Sequence, residues 1–374
     1  MAHDRHVRTH SVLAYFGDDP DRVYQLLQWL PVLELLDAAE PVGLVLRHED
    51  TAAVVRERTT LPVLVAEEFP ELRALYAELD AKVVVYCNNS MRNFQSLLEP
   101  RMLHVHINHG ESDKQSMASN NAKSYDRVFV AGEAAVQRIA GGLLEFDPSR
   151  LVRIGRPQLD LRREGVLPPS DRRTVLYAPT WEGDADYNNY SSVDRFGPEL
   201  VRRLLAVPDV RVVYKPHPRV ATSEDPDMSA AHREITALLT GDHLALPDAD
   251  ILAVMPDCDA MVTDVSSVGL DWLYLCTDRP LFIADRHDDP ELLRLEAPVS
   301  RCADVVDSTT LSGLTDLVAD RLALDDLHLQ RIAMRHHYFD DVKVGDSTAR
   351  FLTEVRELAA LRDRLLGVYE QVAT

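Results

Sequence analysis

Residues Lys82-Val83-Val84-Val85-Tyr86 place three valines in a row between a lysine and a tyrosine. Similar short apolar runs surround this one in the chain, at 12–16, 43–46, 63–65, 103–107, 127–130 and 152–154. Amphipathic stretches such as 22–36 and 69–79 separate them. Because the runs are almost continuously apolar rather than alternating, they favour a parallel sheet that is buried on both faces. The first half of the chain is therefore predicted to be an α/β domain.

A second series of the same kind follows the proline-rich, polar stretch at 167–171. Its strand candidates are 174–178, 210–214, 244–246, 260–263 and 280–283, and its helix candidates are 198–205, 230–239 and 268–275. The pattern predicts two α/β domains, at 1–165 and 171–345, followed by a helix at 346–374 that Ser347 caps and that can pack back on the first domain. Two such domains predict a cleft between them, lined by the carboxyl ends of the strands.

Composition limits the classes of protein that this chain can be. It has 374 residues, of which 46% are hydrophobic and 27% charged, so it is globular rather than disordered or a coiled coil. The formal net charge of −21 argues against general nucleic-acid binding and against strong adhesion to anionic lipid. No apolar stretch is long enough for a membrane span or a signal peptide. These features favour a cytoplasmic protein.

Cysteines and histidines give no metal signature. The four cysteines, Cys87, Cys258, Cys276 and Cys302, are far apart, which favours buried thiols in a reducing cytoplasm. His104 and His106 would share one face of a strand, but no third ligand stands at a suitable spacing. No bound metal is predicted.

The sharpest chemical motif is Lys215-Pro216-His217-Pro218, directly after a strand candidate. Each proline restricts its own backbone and that of the residue before it, so Lys215 and His217 are presented rigidly at the end of the strand. An ammonium group beside an imidazole suits a phosphate or pyrophosphate. The alternative is an ordinary turn with exposed polar residues.

A second motif surrounds the start of the helix predicted at 268–275. Thr263 ends a strand, Asp264 or Ser266 can cap the helix, and Ser266 and Ser267 precede it. Free N–H groups and hydroxyls at a helix start can bind an anion. The alternative is a helix cap with no ligand.

Two further segments carry candidate site residues. Thr180 and Trp181 follow a strand and begin a polar loop, which either contacts a ligand or is only surface. His109 stands where a strand gives way to a turn at Gly110. A neutral imidazole there suits a general base, although a structural histidine is the alternative.

Taken together, these segments resemble the CDP-glycerol glycerophosphotransferase family of teichoic acid and capsule polymer enzymes. The motifs that carry the resemblance are Asn108-His109-Gly110, Tyr177-Ala178-Pro179-Thr180-Trp181, Lys215-Pro216-His217-Pro218, the segment from Thr263 to Asp271, and Gly345-Asp346-Ser347-Thr348-Ala349-Arg350. The chain departs from the family pattern at Asn108, where the family has Trp, at Glu111-Ser112, where it has Thr-Pro, and at Glu182, where a basic residue is common. These departures concern the acceptor and the reacting groups.

The resemblance implies a GT-B-like fold, in which two Rossmann-like domains face an interdomain cleft. It implies that the C-terminal domain binds a CDP-linked polyol donor through Lys215, His217, Asp264, Ser266 and Ser267, and that the N-terminal domain binds the acceptor.

The implied reaction is the transfer of glycerol phosphate, or a related polyol phosphate, to a hydroxyl of a glycan, polyol phosphate or lipid-linked acceptor. CMP is released, His109 and His217 are catalytic, and no cofactor is required. The protein would then work in the cytoplasm or at the inner face of the membrane, with at most peripheral membrane contact. The alternatives are a GT-B glycosyltransferase, a nucleotide-sugar epimerase and a non-catalytic protein that binds CDP-polyols.

Overall fold

The computed structural model describes residues 10–373, except 115, 116, 162, 184 and 185. The described chain forms two compact units, the first made of 10–110, 118–161 and 341–373, and the second of 111–117 and 162–340. The predicted boundaries did not assign 111–117 to the second unit. Long-range hydrogen bonds explain why this segment belongs to the second unit, because Tyr338 donates to the Asp113 carboxylate and Lys114 donates to Thr180.

The first unit contains a seven-stranded parallel sheet in the order β3-β2-β1-β4-β5-β6-β7. Its strands are β1 Val12–Phe16, β2 Val42–Leu46, β3 Val63–Val65, β4 Val83–Tyr86, β5 Leu103–His106, β6 Arg127–Val130 and β7 Leu151–Arg153. Its helices before the second unit are α1 Tyr24–Leu27, α2 Leu30–Asp37, α3 Glu49–Arg56, α4 Phe69–Glu78, α5 Asn93–Ser96, α6 Glu133–Gly142 and α7 Pro157–Asp160. All seven predicted strands are present, and their ends move by at most one residue.

Strand β1 shows why these runs are apolar throughout. Val12, Ala14 and Phe16 pack into the core on one face of the sheet, whereas Leu13 and Tyr15 pack into the core on the other. Successive side chains of a strand point to opposite faces, so a sheet with helices on both sides needs apolar residues at every position.

The second unit contains a six-stranded parallel sheet in the order β10-β9-β8-β11-β12-β13. Its strands are β8 Arg173–Ala178, β9 Val210–Tyr214, β10 Leu244–Ala245, β11 Ala260–Thr263, β12 Leu281–Ala284 and β13 Asp304–Val306. Its helices are α8 Val193–Leu205, α9 Pro226–Leu238, α10 Ile251–Val254, α11 Ser267–Leu275, α12 Pro290–Glu296, α13 Leu314–Ala323 and α14 His328–Phe339. Strand β13 was not predicted, because three residues that begin with an aspartate are too short a pattern.

The last helix, α15, spans Asp346–Ala373 and belongs to the first unit. Phe351 and Val355 are fully buried in the core of that unit. Ser347 is not the cap that the sequence suggested: it lies inside the helix, and its hydroxyl accepts the Arg156 N–H at 3.0 Å. Among the described residues, no helix is both long and apolar enough to cross a membrane.

Each sheet has one point where the direction of strand order reverses. In the first unit the chain builds β1, β2 and β3 outwards and then returns to place β4 on the other side of β1. In the second unit β8 has β9 on one side and β11 on the other. Ligands of open α/β sheets bind beyond the carboxyl ends of the strands at such points.

Candidate active site

Three of the predicted site segments follow neighbouring strands of the second sheet. Strand β8 lies between β9 and β11, so the segments after these strands leave the same edge of the sheet. The His217 N–H donates to the Pro179 carbonyl at 2.9 Å, which joins the segments after β9 and β8. The Thr180 N–H donates to Asp264 Oδ2 at 2.8 Å, which joins the segments after β8 and β11. Strand pairing therefore brings together residues that are far apart in the chain.

Asp264 is a fully buried carboxylate in this cluster. Burial raises its pKa from 3.8 to about 7, although hydrogen bonds from Ser192 and Thr180 and the positive charge of Lys114 act in the opposite direction. Its carboxylate is bonded to the loop after β8 rather than to the helix that follows β11. Asp264 therefore organises that loop.

The start of helix α11 has the properties of an anion site. Ser266 occupies the N-cap position, Ser267 is the first helical residue, and both side chains are half-buried. Within the described chain, no side chain bonds to the backbone at this cap, so neither of the two predicted capping residues acts as one. Ser266 Oγ lies 3.4 Å from Thr263 Oγ1 instead. The first N–H groups of the helix are therefore not satisfied by Ser266, and such groups together with the helix dipole can bind an anion.

Lys215 is held inside the second unit. Its Nζ donates to the carbonyls of Pro216 at 2.9 Å and Pro247 at 3.2 Å. Burial lowers its pKa from 10.5 to about 8, and the negative charges of Asp250 and Asp248 partly offset this. With two carbonyl partners, the ammonium group braces the segment after β9 against the loop after β10.

His217 lies in an aromatic and cationic cluster. Its Nδ1 accepts the Arg219 N–H at 3.2 Å, so in the neutral imidazole the proton is on Nε2. The ring centre of His217 is 6.0 Å from that of Trp181. The Arg219 guanidinium lies 3.6 Å above the Trp181 ring, an arrangement that holds the indole in place.

The structure adds a cation, Lys114, to which the sequence reasoning assigned no role. Its Nζ donates to Thr180 Oγ1 at 3.3 Å and lies 5.5 Å from the centre of the Tyr190 ring. Burial lowers its pKa from 10.5 to about 8, and the negative charge of Asp264 opposes that change. A sequence signal did exist, since Lys114 is the first basic residue after His109.

An open recess lies beside the start of α11. Its walls include Val265 after β11, Ala284 and Asp285 at the end of β12, and Tyr190. Because Tyr190 also approaches Lys114, the recess adjoins the cationic end of the cluster.

In the first unit, a tight turn after β5 positions His109. Asn108 has a positive φ of 51°, a conformation that asparagine tolerates better than most residues. Its side-chain oxygen accepts the His109 N–H at 2.9 Å, and its carbonyl accepts the Trp29 indole N–H at 2.5 Å. Gln158 donates to the His109 carbonyl at 3.4 Å. Three hydrogen bonds therefore hold the turn that carries the His109 imidazole.

The imidazole of His109 is electrostatically unusual. Burial lowers its pKa from 6.5 to about 4, and the positive charge of Arg156 and the neighbouring His106 add to this, whereas the Cys87 backbone opposes it. Its Nδ1 is buried and has no hydrogen-bond partner in the part of the chain that the structure describes. His109 is therefore neutral at pH 7, and one of its nitrogens has no hydrogen-bond partner among the described residues.

The other two histidines of β5 have different surroundings. His104 Nδ1 is 2.8 Å from the Tyr86 hydroxyl and its Nε2 is 2.8 Å from the Glu99 carbonyl, so both nitrogens have structural partners. His106 stacks on Tyr125 at 5.0 Å between ring centres. No group of three metal-binding side chains occurs among the described residues. All four cysteines are buried free thiols.

Solved structures identify the fold of this chain. A candidate UDP-N-acetylglucosamine 2-epimerase of Listeria monocytogenes matches with a TM-score of 0.62 at 14% identity, covering 93% of this chain and 96% of its own. The wall teichoic acid polymerase TagF matches with a TM-score of 0.61 at 14% identity, covering 94% and 90%. S. aureus MnaA in complex with UDP matches with a TM-score of 0.57 at 12% identity, covering 92% and 95%. The two α/β units thus have the GT-B-like fold.

A family match is more specific. Residues 73–289 match the family described as CDP-glycerol:poly(glycerophosphate) glycerophosphotransferase. The match spans more than half of the chain and includes His109, Thr180, Lys215 and Asp264. The chain therefore belongs to this family of glycerophosphotransferase enzymes, which confirms the resemblance drawn from its motifs. No curated protein matches the sequence.

Proposed function

We propose that this protein transfers glycerol phosphate, or a related polyol phosphate, from a CDP-linked donor to a hydroxyl acceptor and releases CMP. Family membership supports CDP-glycerol as the donor. The similarity of fold to a wall teichoic acid polymerase supports a teichoic acid as the product, and a capsule polymer would need the same chemistry. The observation that carries the proposal is the convergence of the segments after β9, β8 and β11 around the uncapped start of α11.

In this proposal the second unit binds the donor. The pyrophosphate lies at the start of α11, where Ser266 and Ser267 offer N–H groups and hydroxyls, and His217 Nε2 donates a further hydrogen bond. Lys215 already has two carbonyl partners, so Lys114 is the better candidate for the cation that meets the phosphate charge. The nucleoside occupies the recess beside Tyr190. Trp181 supports His217 from the loop after β8.

The first unit binds the acceptor and supplies the base. The acceptor hydroxyl loses its proton to His109 as its oxygen attacks the phosphorus that bears the glycerol. A new P–O bond forms, the bond from this phosphorus to the bridging oxygen breaks, and CMP leaves with that electron pair. Such a step depends on positioning and on stabilising charge. No electron is gained or lost, so the proposed step needs no redox cofactor.

Nucleotide release from purified protein tests this function. CDP-glycerol, CDP-ribitol and UDP-sugars are each incubated with a polyol phosphate acceptor, and CMP and UDP are measured. We expect CMP from a CDP-polyol, at a rate that rises with acceptor concentration. UDP release from a UDP-sugar would favour a glycosyltransferase or an epimerase, whose fold this chain shares. Binding of CDP-glycerol without any CMP would favour a non-catalytic protein.

We further propose that the reaction takes place in the cytoplasm and that membrane contact is made only through a lipid-linked acceptor. The acidic surface implied by the net charge of −21 supports this, because it repels anionic lipid. Fractionation after a high-salt wash should leave the protein in the supernatant. Recovery mainly in the membrane pellet would contradict the proposal.

A further inference from the structure

Asp18 lies at the strand-order reversal of the first sheet, two residues after β1 ends. It is only 7% exposed. Its Oδ2 accepts a hydrogen bond from Asn88 Nδ2 at 2.7 Å, and its Oδ1 accepts one from Ser90 Oγ at 2.7 Å. Both donors follow β4, which pairs with β1. The carboxylate therefore stands beyond the carboxyl ends of the two central strands, where ligands of such sheets bind.

The partners of Asp18 are unusual for a buried carboxylate. Within the described chain, Asp18 takes part in no ion pair, and its two side-chain donors are a neutral amide and a neutral hydroxyl. A buried charge without a cation is costly unless further hydrogen bonds satisfy it. A carboxylate can accept about four hydrogen bonds, so two sites on Asp18 are left for further donors. Its exposed neighbour Asp19, in contrast, pairs with Arg92 and His48.

Unsatisfied imidazole nitrogens lie at the same edge of the sheet. His106 Nε2 and His109 Nδ1 are buried and have no hydrogen-bond partner among the described residues. The segment after β4, which carries Asn88 and Ser90, lies beside the end of β5, which carries both histidines, because β4 pairs with β5 and Tyr86 is opposite His106. A carboxylate and two imidazoles with unused hydrogen-bonding capacity thus share one edge, and this pattern indicates a ligand with several hydroxyls.

We propose that Asp18 recognises the acceptor by accepting a hydrogen bond from the hydroxyl next to the one that His109 deprotonates. This inference rests on the proposed function and deepens it. The acceptor would then end in two neighbouring hydroxyls with no charge at that end. A terminal phosphate monoester would be rejected, because the buried carboxylate repels it and offers it no hydrogen. Asp18 is thus a specificity-determining residue of the first unit.

Binding without turnover tests the proposal directly. Two probes are compared by calorimetry: glycerol methyl phosphodiester, which ends in two neighbouring hydroxyls, and the matching diester of 1,3-propanediol, which lacks the middle one. A hydrogen bond to a charged group predicts that the wild-type protein binds the first probe about 10- to 100-fold more tightly. Asp18→Asn should lose this preference, since the amide has one acceptor atom fewer. Asp19→Asn, the same change one residue away on the exposed side, should retain it.

The outcomes separate this inference from the proposed function. Equal binding of the two probes by the wild-type protein, or a preference that survives Asp18→Asn, would overturn the role of Asp18. Failure of CMP release from CDP-polyols would overturn the proposed function while leaving the binding result readable. A purely structural Asp18 would lower the thermal midpoint in Asp18→Asn and leave the preference between the two probes unchanged. If Asp18→Asn does not fold, equal binding of the two probes by the wild-type protein would still overturn the proposal.

Discussion

At the scale of single residues, the environment of His109 defines how it can act. Burial and the charge of Arg156 lower its pKa to about 4, so the imidazole is neutral throughout the physiological range. A neutral imidazole can accept the proton of a hydroxyl, but its buried cation is poorly stabilised. In an ordinary histidine the pKa is about 6.5, so half of the imidazole is protonated at that pH and cannot accept a proton. The fall of kcat/KM at low pH, which reports on the free enzyme, should therefore occur well below that pKa.

Substitution of His109 tests its role as the base. We expect His109→Ala to lower kcat by about 10²–10⁴ and to leave CDP-glycerol binding nearly unchanged, because the base acts on the acceptor. His109→Asn should be as damaging, since an amide cannot take the proton. kcat, donor Kd and thermal midpoint are measured for both variants. Rescue of rate and stability by Asn would show a structural histidine and make His106 the next candidate base.

Lys114 and Lys215, the two lysines of the cluster in the second unit, should behave differently. Lys114→Ala should raise the donor Kd by about 10- to 100-fold, because it removes a charged hydrogen-bond donor from the phosphate site. Lys215→Ala should chiefly lower the thermal midpoint, because Nζ bonds to the carbonyls of Pro216 and Pro247. Donor titration and thermal unfolding of both variants measure the two effects. Weakened donor binding in Lys215→Ala alone would restore the assignment made from the sequence.

At the scale of elements, helix α15 is attached to the first unit through the start of α7. Gly155 has a positive φ of 78°, and a Cβ there would lie 3.0 Å from Ser347 Cβ and 3.1 Å from Val342 Cγ1. The Asp160 carboxylate accepts the N–H of Gly345 at 2.7 Å and that of Thr348 at 2.6 Å. Glycine is needed at 155 because the backbone conformation and the close approach of α15 both exclude a side chain.

Gly155→Ala should therefore destabilise the first unit. Strain at positive φ and the clash with Ser347 together should lower the free energy of unfolding by about 2–5 kcal/mol. Gly241→Ala is the matched control, since its φ is 72° and nothing lies within 4 Å of the added Cβ. It should cost about 1–2 kcal/mol. Denaturant unfolding measures both, and equal losses in the two variants would contradict the importance of the contact with α15.

At the scale of the whole molecule, the two units should respond differently to pH. The pKa of His106 and that of His109 are lowered by burial from 6.5 to about 4. Between these values the unfolded chain binds more protons, so stability is lost as the pH falls from about 6.5 towards 4. The loss should approach about 3 kcal/mol per histidine. His106→Gln should reduce it, as measured by thermal midpoints across this range, and an unchanged pH slope would contradict the assignment.

The carboxylate of Asp264 predicts the opposite slope in the second unit. Its pKa is raised from 3.8 to about 7, so the folded state binds more protons within that window and stability is lost as the pH rises through it. Asp264→Asn should therefore gain stability relative to the wild-type protein between pH about 4 and 7. Asp278→Asn, at an exposed position, provides the baseline for removing a charge. If the difference in stability between Asp264→Asn and the wild-type protein does not change with pH, this would contradict a protonated Asp264.

Local patterns were sufficient to predict most of the fold. Continuous apolar runs mark the strands because both faces of each sheet are covered, and every strand except the three-residue β13 followed from that pattern. Motifs such as Lys215-Pro216-His217 fell at strand ends because prolines and polar residues stop the pairing of strands. Helix α8 begins five residues before the predicted start, at Val193, because Pro198 is tolerated inside it.

The partners of the site residues depended on long-range contacts that no local pattern contains. Lys215 looked free to bind phosphate, yet its ammonium reaches a carbonyl 32 residues away. Lys114 joined the second unit through Thr180, 66 residues further along the chain. The hydrogen-bond donors of Asp18 lie just after β4, about 70 residues further along the chain. Burial and hydrogen bonding, which set the charge and reach of these groups, arise only when strand order brings distant segments to one edge of a sheet.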